Sequence, residues 1–194
     1  NSVNTPFTTR KVYEYNKKRD LLNWSSYEFD GEIGMQEIYD YNSNGQLVEK
    51  ATLLFGEISA RSTINYYQNL AKKDSTVYLY RDGDLLSTEI FKYDKSNNLI
   101  RYSNSNESYE SLEEREYKDG VLAKVRMTKD GVLVKKLYNN YGYLERKEYY
   151  KLDSTLISEY VYEYKWDENL NWVESKRFKD DSLYVSIIRK IKYY

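Results

Sequence analysis

Cysteine and histidine are both absent from this chain. Without cysteine there is neither a disulfide framework nor a thiolate metal ligand. Without histidine the usual general base near neutral pH, the usual zinc ligand and every histidine-containing triad are excluded. No apolar run of about 18 residues occurs, so no helix is expected to span a membrane. A charge excess of either sign is missing too, because 30 Lys and Arg oppose 31 Asp and Glu and alternate along the chain. That balance argues against a nucleic acid as partner.

What the chain has instead is tyrosine, 24 of its 194 residues. Tyr buries its ring while its hydroxyl reaches water, which suits a thin sheet without a deep core. The length fits a single β-hairpin repeat domain over residues 1–194. The start at Asn1 rather than Met predicts a leader already removed and an extracytoplasmic setting, periplasm or cell surface, unless a cloning boundary explains it. A lipid anchor in the precursor is compatible with that reading.

A tyrosine followed six positions later by leucine recurs at Tyr15/Leu21, Tyr41/Leu47, Tyr93/Leu99, Tyr138/Leu144, Tyr150/Leu156 and Tyr164/Leu170. A shorter form stands at Tyr80/Leu85, Tyr117/Leu122 and Phe178/Leu183. Asx-Gly dipeptides, those most favoured in hairpin turns, lie between three of these pairs: Asn44-Gly45, Asp82-Gly83 and Asp119-Gly120. The longer spacing fits a type I turn followed by one left-handed residue. The ring and the leucine then meet across the hairpin mouth, a contact contributing roughly 0.2 to 1 kcal/mol. No hairpin of this kind is stable alone, so the prediction is an array: about 13 antiparallel strands in an extended, twisted meander.

Two segments depart from the pattern. Residues 62–73 carry Ile64, Tyr67, Leu70 and Ala71 at helical spacing behind Ser62 or Thr63, so a short helix competes with a strand there. Ser103 to Glu110 is polar and low in complexity and reads as an exposed loop.

The segments Tyr39-Asp40-Tyr41-Asn42-Ser43-Asn44-Gly45-Gln46-Leu47-Val48 and Tyr93-Asp94-Lys95-Ser96-Asn97-Asn98-Leu99-Ile100 resemble the Tyr-Asp repeats of RHS-type bacterial surface and toxin-delivery proteins. They are also similar to the Tyr-x-Asn-Gly-x-Leu repeats of the MORN-variant family. Both resemblances imply successive antiparallel hairpins in a curving sheet over nearly the whole chain. RHS-type shells need more repeats than this chain holds to enclose a toxin, and MORN-type repeats use more glycine than its eight. The Tyr-rich hairpins further resemble choline- and glucan-binding cell-wall repeats, whose Trp-Tyr-Tyr and Gly-Trp signatures are missing.

Trp24, Trp166 and Trp172 are the first candidates for ligand contact, because indole faces stack on sugar rings; the competing reading is that they cover the sheet. The ladder Tyr160, Tyr162, Tyr164 offers the same chemistry and the same alternative. Glu113, Glu114, Glu116, Glu159 and Glu163 read as solvated sheet charges rather than a glycosidase pair. Asp167, Asp180 and Asp181 lack the spacing of a calcium loop, and no glycine-rich phosphate loop occurs. Asn23-Trp24-Ser25 and Asn106-Glu107-Ser108 match a glycosylation sequon and read as accidental in a chain of bacterial character. No catalytic set, metal or cofactor is therefore expected.

The expectation is a non-catalytic extracytoplasmic scaffold contacting a protein or a surface polysaccharide. The alternatives are a carbohydrate-active enzyme or barrel-like small-ligand carrier, and a structural spacer that self-associates through edge strands such as Leu183 to Tyr194.

Overall fold

The computed structural model describes residues 10–193. Asn1 and Tyr194, on which the expectations about a leader and the end of the terminal edge fall, lie outside them. Every element is a strand: β1 (Arg10–Tyr15), β2 (Leu21–Tyr27), β3 (Ile33–Tyr41), β4 (Leu47–Leu54), β5 (Glu57–Tyr66), β6 (Lys72–Arg81), β7 (Asp84–Tyr93), β8 (Leu99–Asn106), β9 (Tyr109–Lys118), β10 (Val121–Lys129), β11 (Val132–Tyr138), β12 (Leu144–Lys151), β13 (Leu156–Trp166), β14 (Trp172–Lys179) and β15 (Ser182–Ile188). Each is hydrogen-bonded to its sequence neighbours in one 15-stranded open meander, two strands more than the spacing predicts. Contacts divide the chain into two units, β1–β7 in the first and β10–β15 in the second, with β8 and β9 contributing residues to both.

The turns explain the regularity. In the longer type, the fourth residue takes a left-handed backbone: Arg19, Gly31, Gly45, Leu70, Asn97, Gly142, Ser154 and Leu170. Its N–H bonds to the carbonyl three residues back, as Gly45 does to Asn42 at 2.9 Å, while the first N–H bonds to the fifth carbonyl, as Asn42 does to Gln46. This is the predicted type I turn with one left-handed residue. An Asx side chain caps each such turn. Oδ1 of Asn16, Asn42, Asp94, Asn139 or Asp167 accepts two backbone N–H groups at 2.8–3.0 Å. Where the first residue is not Asx, the third supplies the acceptor: Asp30, Asn69 and Asp153. The shorter turns Phe55-Gly56, Asp82-Gly83, Asp119-Gly120, Asp130-Gly131 and Asp180-Asp181 have positive φ at both central residues, the hairpin geometry that matches strand twist.

The Tyr/Leu signature is the closing pair of these turns. Tyr15↔Leu21, Tyr41↔Leu47, Tyr138↔Leu144, Tyr150↔Leu156, Tyr80↔Leu85, Tyr117↔Leu122 and Phe178↔Leu183 are register partners, each beside a bulge. Tyr164/Leu170 is not such a pair. Leu170 is the left-handed turn residue, and Trp166↔Trp172 closes the hairpin instead.

Two further expectations are corrected. Residues 62–73 form the end of β5, a turn and the start of β6; Tyr67 and Leu70 owe their spacing to turn geometry, with Leu70 N bonding Tyr67 O at 3.0 Å. Residues 103–110 form the end of β8, a tight turn and the start of β9, because Ser, Asn and Glu are admissible in a strand whose face meets water.

The core is thin. Among the described residues the buried hydrophobic side chains are Val125 and Val134 of the second unit, at 4% and 5% exposure. Ser25, Ser75, Ser87 and Ser111 are the buried polar ones, small side chains lying among larger neighbours.

Candidate functional site

Alternation along β13 puts Tyr160, Tyr162, Tyr164 and Trp166 on one face, with Lys179, Arg177 and Ser175 opposite on β14 and Trp172 across the bulge. Five of the six residues singled out by sequence therefore stand together. Trp24 stands in the first unit, on β2, between register partners Tyr13 and Glu37.

Sequence reasoning missed the residues that complete the cluster. Trp166 is ringed by Tyr143 at 5.0 Å, Tyr141 at 5.3 Å and Tyr164 at 5.7 Å between centroids. Tyr141 and Tyr143 belong to the turn before β12 and keep no strand periodicity, so alternation could not flag them. Tyr141 is 58% exposed and offers its ring to solvent. Tyr143, Tyr162, Tyr164, Trp172 and Arg177 line a depression of about 220 Å³.

The candidates differ in how committed they already are. Trp172 is covered by Arg189, whose Cζ lies 4.0 Å from the ring and whose Nε donates to the Trp172 carbonyl at 2.8 Å. Tyr164 donates its hydroxyl to the Leu144 carbonyl at 2.9 Å. Burial, followed by the neighbouring Tyr162 and Tyr143, pushes its pKa up. Trp166, Tyr141 and Tyr143 are the members left for a ligand.

Trp24 belongs to a different arrangement. Its Nε1 donates to Glu37 Oε2 at 2.7 Å, the Tyr39 hydroxyl donates to the same oxygen, and Lys50 Nζ lies 2.6 Å from Oε1. Burial raises the Glu37 pKa, but the bonds from Lys50, Tyr39 and Trp24 and the charge of Lys50 outweigh it, so the net shift is downward. Tyr39 moves the other way, to about 12, through burial and then its bond to Glu37. This is a packing network holding β2, β3 and β4.

The carboxylates considered for acid and nucleophile roles are mostly engaged: Glu113 with Arg115 at 2.5 Å, Glu116 with Lys124 at 3.0 Å, Glu159 with Arg146 at 2.9 Å. Glu114 and Glu163 are exposed. Among the described residues no three acidic side chains are placed to hold one metal ion, and no helix is long and apolar enough to cross a membrane.

No family model and no curated protein matches the chain. Among solved structures it is similar to a porin-like protein from Bacteroides uniformis, at 12% identity, with 95% of this chain and 97% of that chain covered and a TM-score of 0.32.

Proposed function

We propose that this chain is a non-catalytic, extracytoplasmic scaffold that binds a surface polysaccharide through the aromatic cluster of its second unit. The observation that supports this reading most is the grouping of Tyr141, Tyr143, Tyr164 and Trp166 within 5.0–5.7 Å ring contacts at one end of β12 and β13. Such a cluster presents ring faces and hydroxyls side by side, the combination that stacks against pyranose rings and bonds their hydroxyls. Packing alone needs no exposed Tyr141. The repeated hairpins supply a rigid support, and a polymer suits a surface built from repeats. The absence of histidine and cysteine from the sequence favours binding over turnover.

The test is tryptophan fluorescence during titration with a panel of bacterial surface polysaccharides, run on the wild type, Trp24→Phe, Trp166→Ala and Tyr141→Ala. Quenching is expected in the wild type and Trp24→Phe. Affinity should fall by about tenfold in Trp166→Ala, the size of one lost aromatic contact. If no polysaccharide binds, or if Trp166→Ala and Tyr141→Ala bind as the wild type does, the reading fails.

A further inference from the structure

We infer that the polymer is acidic, a chain of carboxylate-bearing sugars held across β11–β14 by Lys136, Lys147, Arg177 and Lys179. The inference rests on the sugar-binding reading and adds the charge of the ligand.

The register sets these cations in order. Lys136 faces Lys147, Lys147 faces Tyr160 and Tyr160 faces Lys179, one row running across four adjacent strands. Neighbouring strands are about 4.8 Å apart. Arg177 stands two residues from Lys179 on the same face, opposite Tyr162. Tyrosine rings underlie the charges: Lys147 lies 4.7 Å from the Tyr149 centroid, Lys179 5.9 Å from Tyr160, and Arg177 5.4 Å from Tyr162 and 5.8 Å from Tyr184.

None of the four has an acidic partner among the described residues, although the chain carries 31 acids. Their neighbours are paired: Arg115 with Glu113, Arg146 with Glu159, Lys176 with Glu174. Glu148, Glu159, Glu163 and Glu174 alternate to the opposite face, and Glu145, the remaining acid of β12–β14, stands in the bulge between Leu144 and Arg146 with no ion pair to the row. Two further features disfavour the unliganded state. Lys136 and Lys147 are like charges directly across a strand pair, which repel. Arg177 Nε is buried with no hydrogen-bond partner, a desolvation cost that an incoming carboxylate would relieve. Near-neutral composition thus conceals a segregated positive row, which is why charge counting pointed away from a polyanion.

Carboxylated sugars fit this row better than nucleic acid. A cation already lies over Tyr149, Tyr160 and Tyr162, engaging the faces on which bases would stack. Sugar carboxylates and hydroxyls need only the donors.

The test is calorimetric titration of the whole chain with a polyuronate, with its carboxyl-reduced neutral form and with a single-stranded oligonucleotide, each at low and high salt. The polyuronate should bind at least about tenfold more tightly than the reduced polymer, the worth of one charge-assisted hydrogen bond, and weaken in high salt. Lys147→Gln and Arg177→Gln should each lose about tenfold of that affinity. Lys136→Gln should lose affinity while melting no lower than the wild type, because it removes a repulsion, and it carries the test if Arg177→Gln does not fold. Equal binding of both polymers would overturn the acidic assignment and leave the sugar-binding reading intact. Preference for the oligonucleotide overturns the assignment, and failure of every saccharide to bind overturns both.

Discussion

The hydroxyl of Tyr66 donates to the carbonyl of Leu47, 19 positions earlier, at 2.8 Å. Tyr41 does the same to Leu21 and Tyr164 to Leu144, both at 2.9 Å. In each case the ladder between the two strands stops two residues short of the leucine, at Asn23, Glu49 or Arg146, and the phenol satisfies a carbonyl that the ladder no longer reaches. The tyrosine is therefore a strut between successive hairpins, and Tyr41 is in addition the register partner of Leu47 in its own hairpin. Tyr41→Phe, Tyr66→Phe and Tyr164→Phe should each lower unfolding free energy by about 1 kcal/mol, the net worth of one hydrogen bond, read from urea denaturation. Tyr13→Phe, an exposed phenol, should change it little.

The same struts set an alkaline limit. Burial raises the pKa of Tyr41, Tyr66 and Tyr164, and burial followed by Glu37 raises Tyr39 to about 12, against an ordinary value of 10.0. Above pH 10 the unfolded chain loses phenolic protons that the folded chain keeps, so stability falls as pH rises. The contribution is complete below pH 10 and continues to be lost up to about pH 12, where Tyr39 itself ionises. Melting temperature followed from neutral pH upward should be level to pH 10 and then drop, with a shallower drop in the triple Tyr→Phe variant.

Turn chemistry made most of the fold legible, since Asx-Gly and the Tyr/Leu spacing each fix a local geometry that needs no tertiary context. Tyr67 and Leu70 misled because a turn of this type places residues three apart just as a helix does, and only Leu70's positive φ separates the two. Trp166 and Trp172 were recognised singly but not as a closing pair, because indoles there replace the Tyr and Leu of the motif. The site was half legible. Alternation exposed the ladder Tyr160, Tyr162, Tyr164, whereas the cations opposite it became visible only once register set Lys147 and Lys179 on either side of Tyr160.

Glu37 offers a test in acid. Its pKa lies below the ordinary 4.5, because the bonds from Lys50, Tyr39 and Trp24 outweigh burial. The unfolded chain takes up the proton first as pH falls, so the stabilisation is complete above pH 4.5 and is lost as pH drops through the folded value. Glu37→Gln should cost about 1.5 to 3 kcal/mol at neutral pH, the range for hydrogen bonds to a charged group. At a pH below the folded value, where the wild-type carboxyl is also neutral, the difference between the two proteins should shrink. A gap that stays constant with pH would show that the charge of Glu37 is not what stabilises the network.

Three bulky residues occupy backbone conformations that disfavour them, and these give the opposite sign. Phe55, Leu70 and Leu170 have φ of 49°, 67° and 59° and are 74%, 56% and 60% exposed, so little packing offsets the left-handed strain. A β-carbon in that region costs roughly 1 kcal/mol, which Gly avoids and Asn tolerates better. Phe55→Asn would create the Asn-Gly pair preferred by the two-residue turn it shares with Gly56. Leu70→Gly keeps the backbone carbonyl that accepts from Gln46 Nε2 at 3.0 Å. Phe55→Asn, Leu70→Gly and Leu170→Gly should each raise stability by about 0.5 to 1 kcal/mol, and the three, standing in separate turns, should add nearly independently. Thermal melts of the single and triple variants check this. A loss in Leu70→Gly alone would mean that the leucine side chain, not its backbone conformation, governs that turn.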